Sequence, residues 1–374
     1  MMSNQSFRRR SGRVAVSAAI SVVLGAPLAA QKKAVAAGGP VVEGEVGKDL
    51  DERVLAFDRA AGGFSGVVIV ARDGKVLLEK GYGMHDAAAS LPMRTDSLWD
   101  WASVTKQFTA AALLRLQDKK KLSLDDPLGK HFPDVPADKK GVTVRHLLNH
   151  TSGIESGFKS EWDFDSRSRP ALEKLVLSRP MTSKPGEKHD YSNSGYALAA
   201  ALVERLSGQT FEEYCVTELF RPAGMTDACM IGWKGLDLAR VPKIDRGKGF
   251  ADRPADFRFA YGNELNWGYR GCGGAVATVR DMLAWDRALR GTKVLSARAK
   301  KELYTVAKND YALGWERRRL PAGECVLHSG GVLGVVTMYY RLLDGDAVVA
   351  LACNYDPKAN PGDLASELLA RAAK

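Results

Sequence analysis

Ser103-Val104-Thr105-Lys106 puts a hydroxyl and an ammonium three residues apart at the start of an amphipathic pattern. On a helix that spacing is one turn along one face, so the ammonium lies beside the hydroxyl. The helix N-terminus adds free N–H groups and a positive field, which favour an alkoxide and then an oxyanion. A serine hydroxyl is a weak nucleophile until a neighbour takes its proton, so the pair suits acyl transfer. S-x-x-K alone is a weak signal. Ser156-Gly157-Phe158-Lys159 also matches it, in a Gly-, Asp- and Ser-rich stretch with no helical period.

Tyr191-Ser192-Asn193 follows Lys184-Pro185-Gly186-Glu187 and directly precedes a helical pattern. A phenol near an ammonium can serve as general base and return the proton to a leaving group. The Asn193 amide can hold both a lysine and a substrate carbonyl. Tyr261-Gly262-Asn263 matches the same three-residue pattern, which by itself does not choose between the two. The third element is His328-Ser329-Gly330-Gly331, after Cys325-Val326-Leu327 and ahead of an expected strand. Small residues on an edge strand let a substrate backbone lie alongside. The Gly331 N–H can then join the Ser103 N–H as an oxyanion hole. A lone histidine at a strand end is more commonly a satisfied core residue.

These groups need elements to carry them. Gly66 to Arg72 and Val76 to Gly83 flank Asp73-Gly74, a hairpin signal. A helical pattern runs from Asp49 to Ala61, with Gly62-Gly63 at its end. Others run from Ser103 to about Lys120, Thr143 to Asn149, Gly195 to Ser207 and Thr210 to Leu219. Gly208 stands where a C-terminal cap is expected. Thr278-x-x-Asp281 resembles a capping box for a helix to Leu289. Strands are expected at Val332 to Leu343 and Ala347 to Asn354 around Asp344-Gly345-Asp346, then a last helix from Leu364 to Ala372. Strands at both ends with helices between predict an α/β fold of the α+β type. One antiparallel sheet, completed by both termini and flanked by their helices, would carry an inserted, mainly helical region.

At 374 residues the chain can bury a sizeable core. The net charge of +10 suggests nucleic acid, but residues 1–36 hold six basic residues and no acidic one. The remainder is nearly balanced and shows no basic stripe with interleaved aromatics, so no nucleic-acid partner is expected. Arg8–Arg10 and Arg13, the apolar run Val14 to Ala30 and the A-x-A pattern Ala34-Val35-Ala36 predict a signal peptide over 1–36. Ser17, Ser21, Gly25 and Pro27 interrupt that run, so no stable membrane span is expected after cleavage. The protein would be exported, periplasmic or secreted, with a linker at 37–48 and one domain over 49–374. The α/β part of that domain would comprise about 49–104 and 271–374, the helical part about 105–270. Cys215, Cys229, Cys272, Cys325 and Cys353 are too widely spaced for a zinc site or a disulfide scaffold. His146-x-x-x-His150 puts two imidazoles on one helix face, a spacing able to hold Zn²⁺. No H-E-x-x-H arrangement or nearby further ligand accompanies it, so no metal is expected.

In order and context the motifs are specific. Ser103-Val-Thr-Lys106-Gln-Phe-Thr, Val142 to Ile154 (VTVRHLLNHTSGI), Lys184 to Tyr196 (KPGEKHDYSNSGY), Tyr311-Ala-Leu-Gly-Trp315 and His328-Ser-Gly-Gly331 resemble the class C β-lactamase-related serine hydrolases. That family takes in class C β-lactamases, D-alanyl-D-alanine carboxypeptidases and certain esterases, and the resemblance spans roughly residues 50–355. It implies Ser103 as nucleophile, Lys106 as its partner and Tyr191, not Tyr261, as general base. Asn193, His328, Gly330 and Gly331 would bind substrate. No metal or organic cofactor is implied. The substrate would be a small molecule or peptide, with peptidoglycan-derived peptides and β-lactams as candidates. Class C β-lactamases carry lysine where this chain has His328. A histidine partly charged at neutral pH would hold a carboxylate weakly and in a pH-dependent way. The resemblance therefore leans toward peptidase-like or esterase-like activity, with weak β-lactamase activity or a penicillin-binding sensor or scaffold as alternatives.

Overall fold

A computed structural model describes residues 39–61, 63–156, 168–243, 258–259, 262–353 and 359–374. The expected signal peptide, Lys159 of the second S-x-x-K and Tyr261 of the second tyrosine motif lie outside these residues.

The chain enters on a short strand β1 (Val41–Val42) and a helix α1 (Gly44–Ala61). This helix begins inside the stretch expected as linker. The hairpin β2 (Gly66–Arg72) and β3 (Lys75–Tyr82) follows, and Arg72 pairs with Lys75 across the two-residue turn. Asp73 and Gly74 both take positive φ, 50° and 71°, as the primed turn of a D-G hairpin requires. Small strands β4 (Met84–Asp86), β5 (Leu91–Pro92) and β6 (Trp99–Asp100) lead to the central helix α2 (Lys106–Asp118) through a 3₁₀ turn over Ala102–Thr105.

Helices α3 (Val144–Leu148), α4 (Arg169–Ser178), α5 (Asn193–Ser207), α6 (Phe211–Tyr214) and α7 (Arg221–Ala223) make up the middle, α6 and α7 being joined by a π turn at Cys215–Phe220. Gly208 caps α5 at φ 74°, in the left-handed region. Strands β7 (Cys229–Met230) and β8 (Ala275–Ala277) pair in a small sheet of order β6-β8-β7, which sequence periodicity did not reveal. Thr278 caps helix α8 (Val279–Arg290) in a capping box with Asp281, as its spacing predicted. After α9 (Ala297–Leu303) come strands β9 (Glu316–Leu320), β10 (Gly323–Val332), β11 (Val335–Leu342) and β12 (Ala347–Cys353), then helix α10 (Pro361–Ala372).

Both ends of the chain build one seven-stranded antiparallel sheet of order β1-β3-β2-β12-β11-β10-β9. Along β2, Val67, Ile69 and Ala71 join the core shared with α2 and α8, while Val68 and Val70 join the core under α1 and α10. Both faces are thus buried, which is why β2 and β12 are continuous apolar runs and not alternating ones. Helix α5 is buried from Ser194 to Val203 and packs against α2, so the helix that follows Ser103 is embedded in the middle of the fold. No helix of the described residues is long and apolar enough to cross a membrane. All five cysteines are buried.

Two expectations need correction. The apolar run from Val332 to Leu343 is not one strand, because Leu333-Gly334 turns between β10 and β11, with Gly334 at φ 72°. His328-Ser329-Gly330-Gly331 therefore lies within β10, not ahead of a strand. Its outer side is still an edge: β9 pairs with β10 only from Gly323 to Leu327, leaving residues 328–332 bonded to β11 alone.

Candidate active site

Trp101 to Lys106 form a rigid turn because every side of it is tied. The Trp101 N–H donates to Ala275 O at 2.8 Å, and the Ala275 N–H donates to Thr105 Oγ1 at 3.1 Å. The Thr337 hydroxyl on β11 donates to Trp101 O at 3.1 Å. Ala102 sits at φ 45°, a conformation a non-glycine residue adopts only when its surroundings impose it. The imposing group is Asp100, whose Oδ1 accepts the Ala102 N–H at 2.8 Å and whose Oδ2 accepts the Tyr269 hydroxyl at 2.9 Å. Sequence reasoning passed over Asp100, since an acidic residue three positions before a serine carries no pattern.

Burial raises the Asp100 pKa from 3.8 to about 6. A carboxyl whose folded pKa is raised adds stability below its unfolded pKa and loses it as pH climbs through the folded one. Asp100→Asn should therefore gain on the wild type by roughly 3 kcal/mol in unfolding free energy between pH 4 and pH 7. Urea denaturation of both proteins across that range reads the difference directly. A constant gap between the two curves would show that Asp100 does not titrate there.

From this turn Lys106 projects into the fold, fully buried. Its Nζ donates to Ser103 Oγ at 3.0 Å, to Asn193 Oδ1 at 2.7 Å and to Cys272 O at 3.0 Å. Ser103 and Lys106 thus meet as the three-residue spacing predicts, and Asn193 arrives from the first turn of α5. Ser192 N-caps that helix by accepting the Gly195 N–H at 3.0 Å, which fixes where Asn193 points. Tyr191 precedes the cap with its side chain 39% exposed, and Nζ lies 4.8 Å from its ring centroid. The Lys106 Nζ contacts the tyrosine through the ring, while its hydrogen bonds go to Ser103, Asn193 and Cys272.

Gly330 and Gly331 meet the turn from β10. A Cβ on Gly330 would stand 2.5 Å from Trp101 O and 2.3 Å from Thr337 Oγ1, so only glycine lets the strand lie against the turn that carries Ser103. A Cβ on Gly331 would meet nothing within 4 Å, so that position faces open space. Gly330→Ala should lower turnover by about 100-fold, because the strand must shift by a sizeable fraction of an ångström next to Ser103. Steady-state kinetics with a chromogenic ester would check this, and turnover within threefold of wild type would count against the close approach.

His328 sits differently from its expected place. It is 2% exposed, with Nδ1 2.6 Å from Ser329 O and Nε2 3.0 Å from the Tyr311 hydroxyl. Since a carbonyl only accepts, Nδ1 carries the proton and Nε2 accepts from Tyr311. Burial, and then the nearby Lys106, push its pKa down to about 3. The expectation of a partly charged His328 is therefore corrected to a neutral one. Tyr311, buried against His328, begins the Tyr311-Ala-Leu-Gly-Trp315 stretch. Gly314 follows at φ 73°, where a Cβ would come within 2.7 Å of Lys106 O. That motif packs the helix start from behind.

The two histidines at 146 and 150 do not share a face. His146 Nδ1 accepts the Thr143 N–H in the capping box of α3, whereas His150 lies past the helix end at φ 60°. Among the described residues no group of His, Cys, Asp and Glu is arranged to hold a metal ion. Ser156 donates to Asp190 Oδ1 at 2.8 Å, a surface contact with no part in the Ser103 cluster.

A serine bonded to a buried lysine at a helix start, with a tyrosine and an asparagine closing the other side, defines a serine hydrolase of the acyl-transfer type. The family model for Beta-lactamase matches residues 50–374, and the chain belongs to that family. It is 29% identical over 300 residues to penicillin-binding protein 4* of Bacillus subtilis, covering 75% of this chain and 66% of the relative. It is 26% identical over 283 residues to the putative penicillin-binding protein PbpX of the same organism, covering 73% and 69%. The chain thus spans about two thirds of these relatives' length. Among solved structures, FmtA from Staphylococcus aureus superposes with a TM-score of 0.74 at 20% identity, covering 90% of this chain and 93% of that one. D-amino acid amidase from Ochrobactrum anthropi superposes at 0.72 and 24% identity, covering 87% and 98%. These two likenesses concern the fold.

Proposed function

We propose that the protein is an exported serine hydrolase that forms an acyl-enzyme at Ser103 on an amide or ester carbonyl, of the D-alanyl-D-alanine peptidase or esterase type. The observation that carries this reading is the placement of Lys106 Nζ between Ser103 Oγ and Asn193 Oδ1, against the Tyr191 ring. Ser103 Oγ attacks the carbonyl carbon while Tyr191 takes its proton. The Ser103 and Gly331 N–H groups hold the resulting oxyanion. Tyr191 returns the proton to the leaving nitrogen or oxygen as the carbon–heteroatom bond breaks. Water then attacks the acyl carbon and gives its proton to Tyr191, which passes it to Ser103 Oγ as the acyl–oxygen bond breaks and the acid is released. Asn193 holds Lys106 and orients the substrate amide.

On the substrate side, both ring nitrogens of His328 are engaged inside the protein. It offers no cation for the carboxylate of a β-lactam, so weak β-lactamase activity is expected beside stronger amide or ester hydrolysis. The relatives described as penicillin-binding proteins and the D-amino acid amidase make penicillins and D-aminoacyl amides the first compounds to try. The leader pattern of residues 1–36 supports export to the periplasm or the medium. Comparing kcat/KM for short p-nitrophenyl esters, D-amino-acid amides, a D-alanyl-D-alanine peptide and a chromogenic cephalosporin tests the reading. An ester or amide, which has no carboxylate to be held, should lead the cephalosporin by at least about tenfold, the difference that about 1.4 kcal/mol of carboxylate binding would make. A cephalosporin at the head of the series would overturn it.

A further inference from the structure

We propose that His150 is the positioning residue for Tyr191, holding the backbone on both sides of the tyrosine and backing its ring. This rests on the role given to Tyr191 above. The chain leaves α3 through Asn149, and the positive φ of His150, 60°, turns it toward the Tyr191 segment. From there one residue makes both flanking contacts. The Asp190 N–H donates to His150 O at 2.8 Å, and the Ser192 N–H donates to His150 Nδ1 at 3.0 Å. Between these two bonds lies Tyr191, whose ring centroid is 4.3 Å from that of the imidazole at an interplanar angle of 38°. Tyr311 packs on the same imidazole at 4.6 Å, and through its bond to His328 it ties this cluster to β10.

The chemistry of the position calls for an imidazole in one tautomer. Accepting from Ser192 requires a bare Nδ1, so the proton sits on Nε2. Nε2 is buried and has no hydrogen-bond partner among the described residues. An unpartnered buried N–H is a liability that a phenylalanine or leucine would avoid. What those residues lack is the acceptor for Ser192. The groups facing the ring are Lys106, His189, His328 and the phenols of Tyr191, Tyr196 and Tyr311. Burial first, then the charge of Lys106, hold His150 well below its usual pKa, so Nδ1 remains an acceptor at neutral pH.

The test compares His150→Phe, which keeps a ring without the acceptor, with His150→Asn, whose Oδ1 can take the place of Nδ1. Tyr191→Phe runs alongside, and kcat, KM, the pH profile of kcat/KM and the melting temperature are measured for each on one ester. The proposal predicts that His150→Phe loses about 100-fold in kcat with KM within about threefold and a displaced pH profile, as a misplaced base should. His150→Asn should recover to within about tenfold of wild type with the wild-type profile. A His150→Phe enzyme with wild-type kcat and profile would overturn it. So would a folded His150→Asn enzyme as impaired as Tyr191→Phe, and this variant decides the matter should His150→Phe fail to fold. If Tyr191→Phe itself keeps full activity, the reading of Tyr191 fails and the role of His150 falls with it.

Discussion

Lys106→Met should lower kcat/KM by about 10³- to 10⁴-fold while leaving a folded protein. Methionine keeps most of the volume of the buried stem and removes the charged end. Three things depend on that end. The bond to Ser103 Oγ at 3.0 Å favours the alkoxide, the bond to Asn193 at 2.7 Å fixes the amide, and the Nζ packs on the Tyr191 ring, 4.8 Å from its centroid. Losing them together removes activation of the nucleophile and electrostatic support for the transition state at once. Stability should change much less. Lys106 is fully buried with its Nζ on three uncharged oxygens, so methionine removes a polar end that the fold must desolvate. The orphaned Asn193 and Cys272 oxygens act in the opposite direction. Kinetics and a melting curve on the same preparation check both halves. Activity above about a tenth of wild type would remove Lys106 from the mechanism.

Tyr191→Phe should cost about 10³-fold in kcat with little change in KM. The ring and its packing on His150 survive the change, so the loss reports the hydroxyl alone. Two of the Nζ hydrogen bonds go to pure acceptors, Asn193 Oδ1 and Cys272 O, which leaves one position of the amine facing Ser103. An amine so engaged orients the hydroxyl, and the phenol, 39% exposed at the mouth of the site, is free to exchange the proton with a leaving group. Single-turnover acylation and deacylation rates would locate the loss, which is expected in both steps because the proposed base would move a proton in each. A Tyr191→Phe enzyme within fivefold of wild type would transfer the base role to Lys106.

The legible part of this molecule is the part written in short-range patterns. Asp73-Gly74 specified its turn, Thr278 and Asp281 their capping box, and Gly208 the end of α5, because each depends on φ or on one local hydrogen bond. Ser103 and Lys106 meet across a single turn, but their spacing is matched by Ser156 and Lys159, and it took the neighbouring motifs to choose between the two pairs. The turn at Leu333-Gly334 escaped because branched apolar residues run through it on both sides, and a single glycine is a faint mark. The strand β9 escaped too. Its Arg317, Arg318 and Arg319 are exposed, so no alternation of apolar and polar residues marks it. Asp100, His150 and the inward turn of His328 were out of reach for another reason. Their partners, Tyr269, Ser192 and Tyr311, lie 169, 42 and 17 positions away in the chain, and only the fold introduces them.

The central claim is that Ser103 becomes acylated. Intact mass of the protein, quenched in acid seconds after mixing with benzylpenicillin and read together with drug consumption, tests it most directly, with Ser103→Ala as the paired sample. The account predicts a single penicilloyl adduct mapping to the Ser103 peptide, or drug turnover, with both absent from Ser103→Ala. An adduct on another residue, or an adduct or turnover that persists in Ser103→Ala, would contradict it; so would the absence of any Ser103 adduct or turnover in the wild type with both the penicillin and a p-nitrophenyl ester.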